Sequence, residues 1–121
     1  MIYLTTGATA HSTGFLFGGT ATFTDVLYSG IGAQTAFDAA ATPTYNTTKT
    51  PGTVMVLTAA DAGTDTEMRV WGQFRVNAAG TIIPQIKFSV NPTGTNLAKA
   101  GTYFRCWPAG SKANAAVGLW A

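Results

Sequence analysis

Between Glu67 and Val76 the side chains alternate in character, and this period of two constrains the fold more than any other feature. Met68, Val70, Phe74 and Val76 fall on one side, and Glu67, Arg69, Trp71, Gln73 and Arg75 on the other. A strand with one face on a core and one face turned outward gives this pattern. Asn77-Ala78-Ala79-Gly80 then reads as a turn, and Thr81–Val90 as a second strand. Its inward set is Ile82, Ile86, Phe88 and Val90, its outward set Thr81, Gln85, Lys87 and Ser89, with Ile83 breaking the outward polarity. Pro84 cannot donate to a ladder, which places this strand at an edge or at a bulge. The two strands together predict an antiparallel hairpin.

The rest of the chain continues in the same manner. Fourteen glycines and five prolines interrupt it too often for long helices. The intervening segments are rich in Thr, Val, Phe, Tyr and Ile, which favour a pleated surface. Ile2–Thr5, Gly14–Phe17, Ala21–Tyr28, Thr53–Leu57 and Tyr103–Trp107 read as strands, and Val117–Trp120 as a short last one or a tail. Thr53–Leu57 is apolar on both faces, as in a strand covered on both sides. Gln34–Ala41 reads as a helical turn or an Ala-rich loop. Six to eight short strands in 121 residues, with no repeat or linker, predict one all-β domain over residues 1–121: a β-sandwich of the jelly-roll form.

Composition bears on the chain's surroundings. Charged residues make up only 10% of it, against roughly a quarter in an ordinary soluble domain. Apolar residues stand at 46%, so disorder is not the explanation. A surface of Thr, Asn, Ser and Gly repels other copies weakly, and loss of charge marks interface cores. The expectation is a chain that works assembled. A secreted monomer with a Thr-rich surface is the competing reading. Seven basic residues are scattered, giving a net charge of +2. No basic cluster points to direct nucleic-acid or anionic-lipid binding, and no apolar run is long enough to span a bilayer as a helix. The opening Met1-Ile2-Tyr3-Leu4 lacks the pattern of a signal peptide. With Cys106 as the only cysteine, synthesis in a reducing cytoplasm is expected.

Reactive groups are few. His11 is the only histidine, in a polar segment, and reads as a solvated surface residue. No G-x-S-x-G elbow supports a triad with Ser12 or Cys106. The carboxylates Asp25, Asp38, Asp61, Asp65 and Glu67 fall mostly where turns use Asp for backbone hydrogen bonds, although a glycosidase pair can be distant in sequence. Asp61 and Asp65, four apart around Gly63, lack the further oxygen ligands of a calcium loop. Gly30-Ile31-Gly32 lacks the third glycine of a nucleotide-binding turn. Asn46-Thr47-Thr48 matches a glycosylation acceptor only by pattern. No catalytic residue, metal site or cofactor is assigned.

One constellation stands out. The outward positions of the three C-terminal strands collect Arg69, Trp71, Arg75, Lys87, Tyr103, Arg105 and Trp107. Large aromatics mixed with Arg on a sheet face are enriched in protein interfaces. Internal packing under loops, or stacking on a sugar ring or base, are the other readings.

Arg69 to Pro108 also resembles a recurrent C-terminal segment of phage structural proteins. The elements are Gly80-Thr81, Pro84-Gln85-Ile86-Lys87-Phe88-Ser89 and Lys99-Ala100-Gly101-Thr102-Tyr103-Phe104. Upstream, Thr5 to Gly18 looks like the strand entry of the same proteins. These are similar to the trimeric jelly rolls of the tumour-necrosis-factor and C1q type found in phage fibres, head fibres and capsid decorations. The resemblance implies a non-enzymatic virion protein of a tailed phage, made in the host cytoplasm. It would be a homotrimer that decorates or cements the capsid and contacts other virion proteins such as the major capsid protein. A tail-fibre or spike tip that binds a host receptor, and a free carbohydrate-binding module, are the alternatives. Similar domains carry one or two further strands before the position of Met1, so strand addition from a neighbouring subunit is expected to complete the sheet. A separately made C-terminal piece would be the other explanation.

Overall fold

The structure, a computed structural model, describes residues 1–5, 7–33, 43–58, 60 and 65–109. Eight strands appear in the order β1 Ile2–Thr5, β2 Thr13–Gly18, β3 Thr22–Ala33, β4 Thr44–Thr48, β5 Met55–Val56, β6 Asp65–Ala78, β7 Ile83–Phe88 and β8 Leu97–Ala98. No helix occurs among the described residues. Five strands form one sheet in the order β4-β3-β6-β1-β8, and three form another in the order β5-β2-β7. Every pairing is antiparallel. Two such sheets, joined by one core, are consistent with a β-sandwich.

That core comes from both sheets. Ile2, Leu4, Val26, Tyr28 and Met68 enter from the larger one, Phe15, Phe17 and Met55 from the smaller, with Leu57 beside them. Phe17 is the hub. Its ring meets Phe15 at 5.0 Å, Tyr28 at 5.3 Å and Phe74 at 5.6 Å between centroids, at steep mutual angles. Edge-to-face aromatic pairs contribute about 0.5–1.5 kcal/mol each beyond their burial. Thr13 and Thr66 are buried with them, and their hydroxyls find no partner among the described residues.

The glycines of Gly30-Ile31-Gly32 have a packing role. A Cβ on Gly30 would lie 2.8 Å from the side-chain ends of Leu57 and Met55, and one on Gly32 2.5 Å from the Leu57 carbonyl oxygen. Their bare backbone lets the 55–57 segment cross the inner face of β3 at close range. Further along β3 the register with β6 shifts between Thr24 and Leu27, and Asp25 takes φ 50 there. Asp tolerates the left-handed region better than most residues and so accommodates this irregularity.

The alternation in β6 is as the sequence predicts on its inner side, where Met68 is buried and Val70 and Phe74 half-buried, although Val76 is exposed. Its partner is not. β6 pairs with β3 and β1, whereas β7 pairs with β2 in the other sheet, so the expected hairpin does not form. Residues 79–82 cross between the sheets instead. Thr81 anchors that crossing, because its carbonyl accepts the Thr20 and Ala21 amides, each at 3.1 Å. β7 is an edge strand, as Pro84 requires.

Other expectations change too. Tyr103–Trp107 forms no strand; its backbone hydrogen bonds to described residues are confined to Tyr103, and the shorter β8 precedes it. Thr53–Leu57 contributes only two ladder residues at a sheet edge, with Val56 turned outward and exposed, so it is not covered on both sides. The Ala21–Tyr28 strand runs on to Ala33. β4 lies in a polar stretch that gave no strand signal. Gln34–Ala41 and Val117–Trp120 lie outside the described residues.

Candidate interface

Because the hairpin and the third strand do not form, the seven residues that the sequence groups together divide among three places. Arg69, Trp71 and Arg75 share the outward face of β6 in the five-stranded sheet. Lys87 lies on β7 in the other sheet. Tyr103, Arg105 and Trp107 belong to the extended segment beyond β8.

On β6, local ion pairs hold the two arginines. Arg69 Nε donates to Glu67 Oε1 at 2.5 Å, and Arg75 lies 3.0 Å from Asp25 Oδ2 across the bulge. Both pairs are partly exposed, so each contributes at most about 1 kcal/mol and serves mainly to orient the side chains. Trp71 between them is 53% exposed.

Its neighbour carries no clear signal in the sequence. Tyr45 on β4, 62% exposed, faces Trp71 across Ser29 with centroids 6.4 Å apart and rings 38° from parallel. The Tyr45 hydroxyl donates to Ser29 Oγ at 3.3 Å and accepts from Thr47 Oγ1 at 3.0 Å. Hydrogen bonding with Ser29 and Thr47 pulls its phenol below the ordinary value. This wall of two aromatics and three hydroxyls depends on β4 joining β3. The only hint in the sequence is that Tyr45 and Thr47 lie two apart, too little to define a strand in a Thr-rich chain.

On the smaller sheet, Lys87 borders a trough of about 230 Å³ lined by Ser12, Gly14, Val54, Val56, Phe88 and Ser89. Along the last segment Arg105 lies 5.0 Å above the Tyr103 ring, and Trp107 is 71% exposed. Phe104 approaches Phe17 edge-on at 6.1 Å yet stays half exposed. Among the described residues twelve large hydrophobic side chains are exposed, against nine in the buried core. They include Val76, Ile83, Ile86, Val90 and Leu97 besides the aromatics named above.

His11 differs from expectation: it is buried, 1% exposed, not solvated. Its Nδ1 donates to the Thr9 carbonyl at 2.7 Å and its ring meets Phe88 edge-on at 5.1 Å. It joins the N-terminal loop to the end of β7. Asp25, Asp65 and Glu67 are each in an ion pair, Asp65 with Lys99 at 2.6 Å, while Asp38 and Asp61 lie outside the described residues. Among the described residues no three His, Cys, Asp or Glu side chains gather as a metal site, and no helix is long and apolar enough to cross a membrane.

No family model, no curated protein and no solved structure matches this chain.

Proposed function

We propose that this chain is a non-enzymatic structural subunit of a tailed-phage particle. It is a jelly-roll domain of the tumour-necrosis-factor and C1q type that associates as a trimer and decorates or cements the capsid. One observation carries the reading: among the described residues more large hydrophobic side chains lie exposed than buried, twelve against nine. Single exposed apolar residues are ordinary, but so many on a small domain mark surfaces that another protein covers. The low charge acts in the same direction, since few ions need be stripped of water when copies meet. The resemblance of the Gly80–Phe104 elements to phage structural proteins supplies the setting.

Light scattering on the purified protein, with sedimentation alongside purified capsids, tests this. The expected mass is three copies of the 12.5 kDa chain, and the protein should pellet with capsids. A single-copy mass at high concentration with no capsid binding would sink the proposal.

A fibre or spike tip that binds a host glycan is the second reading. The Tyr45–Trp71 pair favours it, because exposed aromatic rings flanked by hydroxyls suit a sugar ring. Glycan-array binding that disappears in Trp71→Ala would move the assignment there.

A further inference from the structure

β6 has ladder partners along one side, where β3 runs beside it from Thr22 to Ala33. On its other side β1 covers only Asp65 to Met68. From Val70 to Ala78 that second edge has no ladder partner among the described residues. Unpaired backbone N–H and C=O groups in a row are a template for one more strand.

The two edges are treated differently. β7 carries Pro84 and Lys87, residue types that discourage edge pairing. The open stretch of β6 contains neither Pro nor Lys, and its one charge, Arg75, is held by Asp25. This edge is left receptive.

A candidate strand lies in the same chain. The last backbone bonds of the C-terminal described segment are at Tyr103, whose amide donates to the Met1 carbonyl at 3.0 Å and whose carbonyl accepts from the Met1 ammonium at 3.2 Å. Residues 104–109 beyond it are all exposed and make no backbone hydrogen bond with another described residue. Phe104 and Cys106 alternate with Arg105 and Trp107. That period suits a lane whose inner side borders Val70 and Phe74 and whose outer side borders Trp71 and Arg75. Six residues span about 20 Å at roughly 3.4 Å each, within the nine-residue open edge. In its own copy the arm leaves the sheet beside Met1 with Phe104 6.1 Å from the Phe17 ring, so exchange lifts this half-exposed ring from that contact.

We propose that the 104–109 arm of one copy adds as a strand to the open β6 edge of the next copy. Donor and acceptor are different surfaces of one chain, so in the proposed trimer the contact runs head-to-tail and closes about the three-fold axis. Strand addition supplies backbone bonds, and the alternate side chains set the register. The inference rests on the oligomeric reading above and names the contact that builds the oligomer.

Cys106, the only cysteine, lies in the arm and reports on it directly. Val70→Cys and Val76→Cys place a partner on the inner face of the β6 edge. A disulfide needs Cα atoms about 4.4–6.8 Å apart, so only neighbouring strands cross-link. Under mild oxidation, at least one variant should give covalent multimers on a non-reducing gel, well above the wild-type level and abolished by Cys106→Ser. Hydrogen exchange on the unmodified protein gives a second measurement: alternate amides between Val70 and Ala78 should lose protection as dilution dissociates the oligomer. A trimeric mass with no interchain cross-link and with unchanged protection on dilution overturns the strand exchange and leaves the functional proposal standing. So does a disulfide formed only within one chain. A single-copy mass overturns both.

Discussion

The close crossing of the 55–57 segment over β3 allows a three-member alanine series. Gly32→Ala puts a methyl group 2.5 Å from the Leu57 carbonyl oxygen, a backbone atom that moves only with its strand. An ordinary contact is longer by more than half an ångström, so β3 or the 55–57 segment must shift. Gly30→Ala meets only the ends of Leu57 and Met55, 2.8 Å away, which can change rotamer. Gly52→Ala meets nothing within 4 Å. None of the three has positive φ, so each substitution gains a similar 0.4–1 kcal/mol or so by restricting the unfolded chain. The differences among them therefore report steric cost alone. Overpacking of a core typically costs about 1–3 kcal/mol and sometimes more. Gly30→Ala should lose about 1 kcal/mol, Gly32→Ala about 3 kcal/mol, and Gly52→Ala should gain about 0.5 kcal/mol. A domain of this size has on the order of 6–18 kcal/mol to lose, so all three should still fold. Urea unfolding followed by tryptophan fluorescence, at one fixed protein concentration, measures them. If Gly32→Ala is no worse than Gly30→Ala, the crossing of Leu57 over β3 is wrong.

Four further outcomes follow from particular contacts. Thr66→Val should raise stability by about 1 kcal/mol in the same unfolding assay, because the buried hydroxyl has no partner among the described residues and valine matches its shape. Burial raises the Tyr28 phenol above its ordinary value near 10; its contribution is complete below pH 10 and fades as pH climbs through the raised value, so unfolding free energy should fall above pH 10, and less steeply in Tyr28→Phe. Trp71→Ala, which removes a half-exposed ring, should change monomer stability by less than about 1 kcal/mol while weakening oligomer or capsid binding measured by sedimentation. Phe17→Ala should cost about 3–5 kcal/mol, and Phe104→Ala, half exposed, under about half of that; equal losses in thermal or urea unfolding would contradict the hub role of Phe17.

What the sequence determined by itself is local. Alternation from Glu67 to Val76 set which β6 residues point inward, since successive side chains in any strand take opposite faces whatever lies beside them. It therefore placed Met68 inside and Arg69 and Trp71 outside. Pro84 likewise made β7 an edge, because a missing N–H is missing in every pairing. Only the tertiary structure decided which strand lies next to which. Adjacency of β6 and β7 along the chain suggested a hairpin, but β3 and β2 took those edges through contacts more than thirty residues distant. The candidate site inherited that limit: Tyr45 met Trp71 because β4 joined β3, and Lys87 parted from Arg75 because β7 joined β2. His11 was buried for the same reason, its polar neighbours saying nothing of the Phe88 ring that packs on it. Side-chain direction is a property of one strand, but partner choice is a competition over the whole chain, and only the assembled fold records who won.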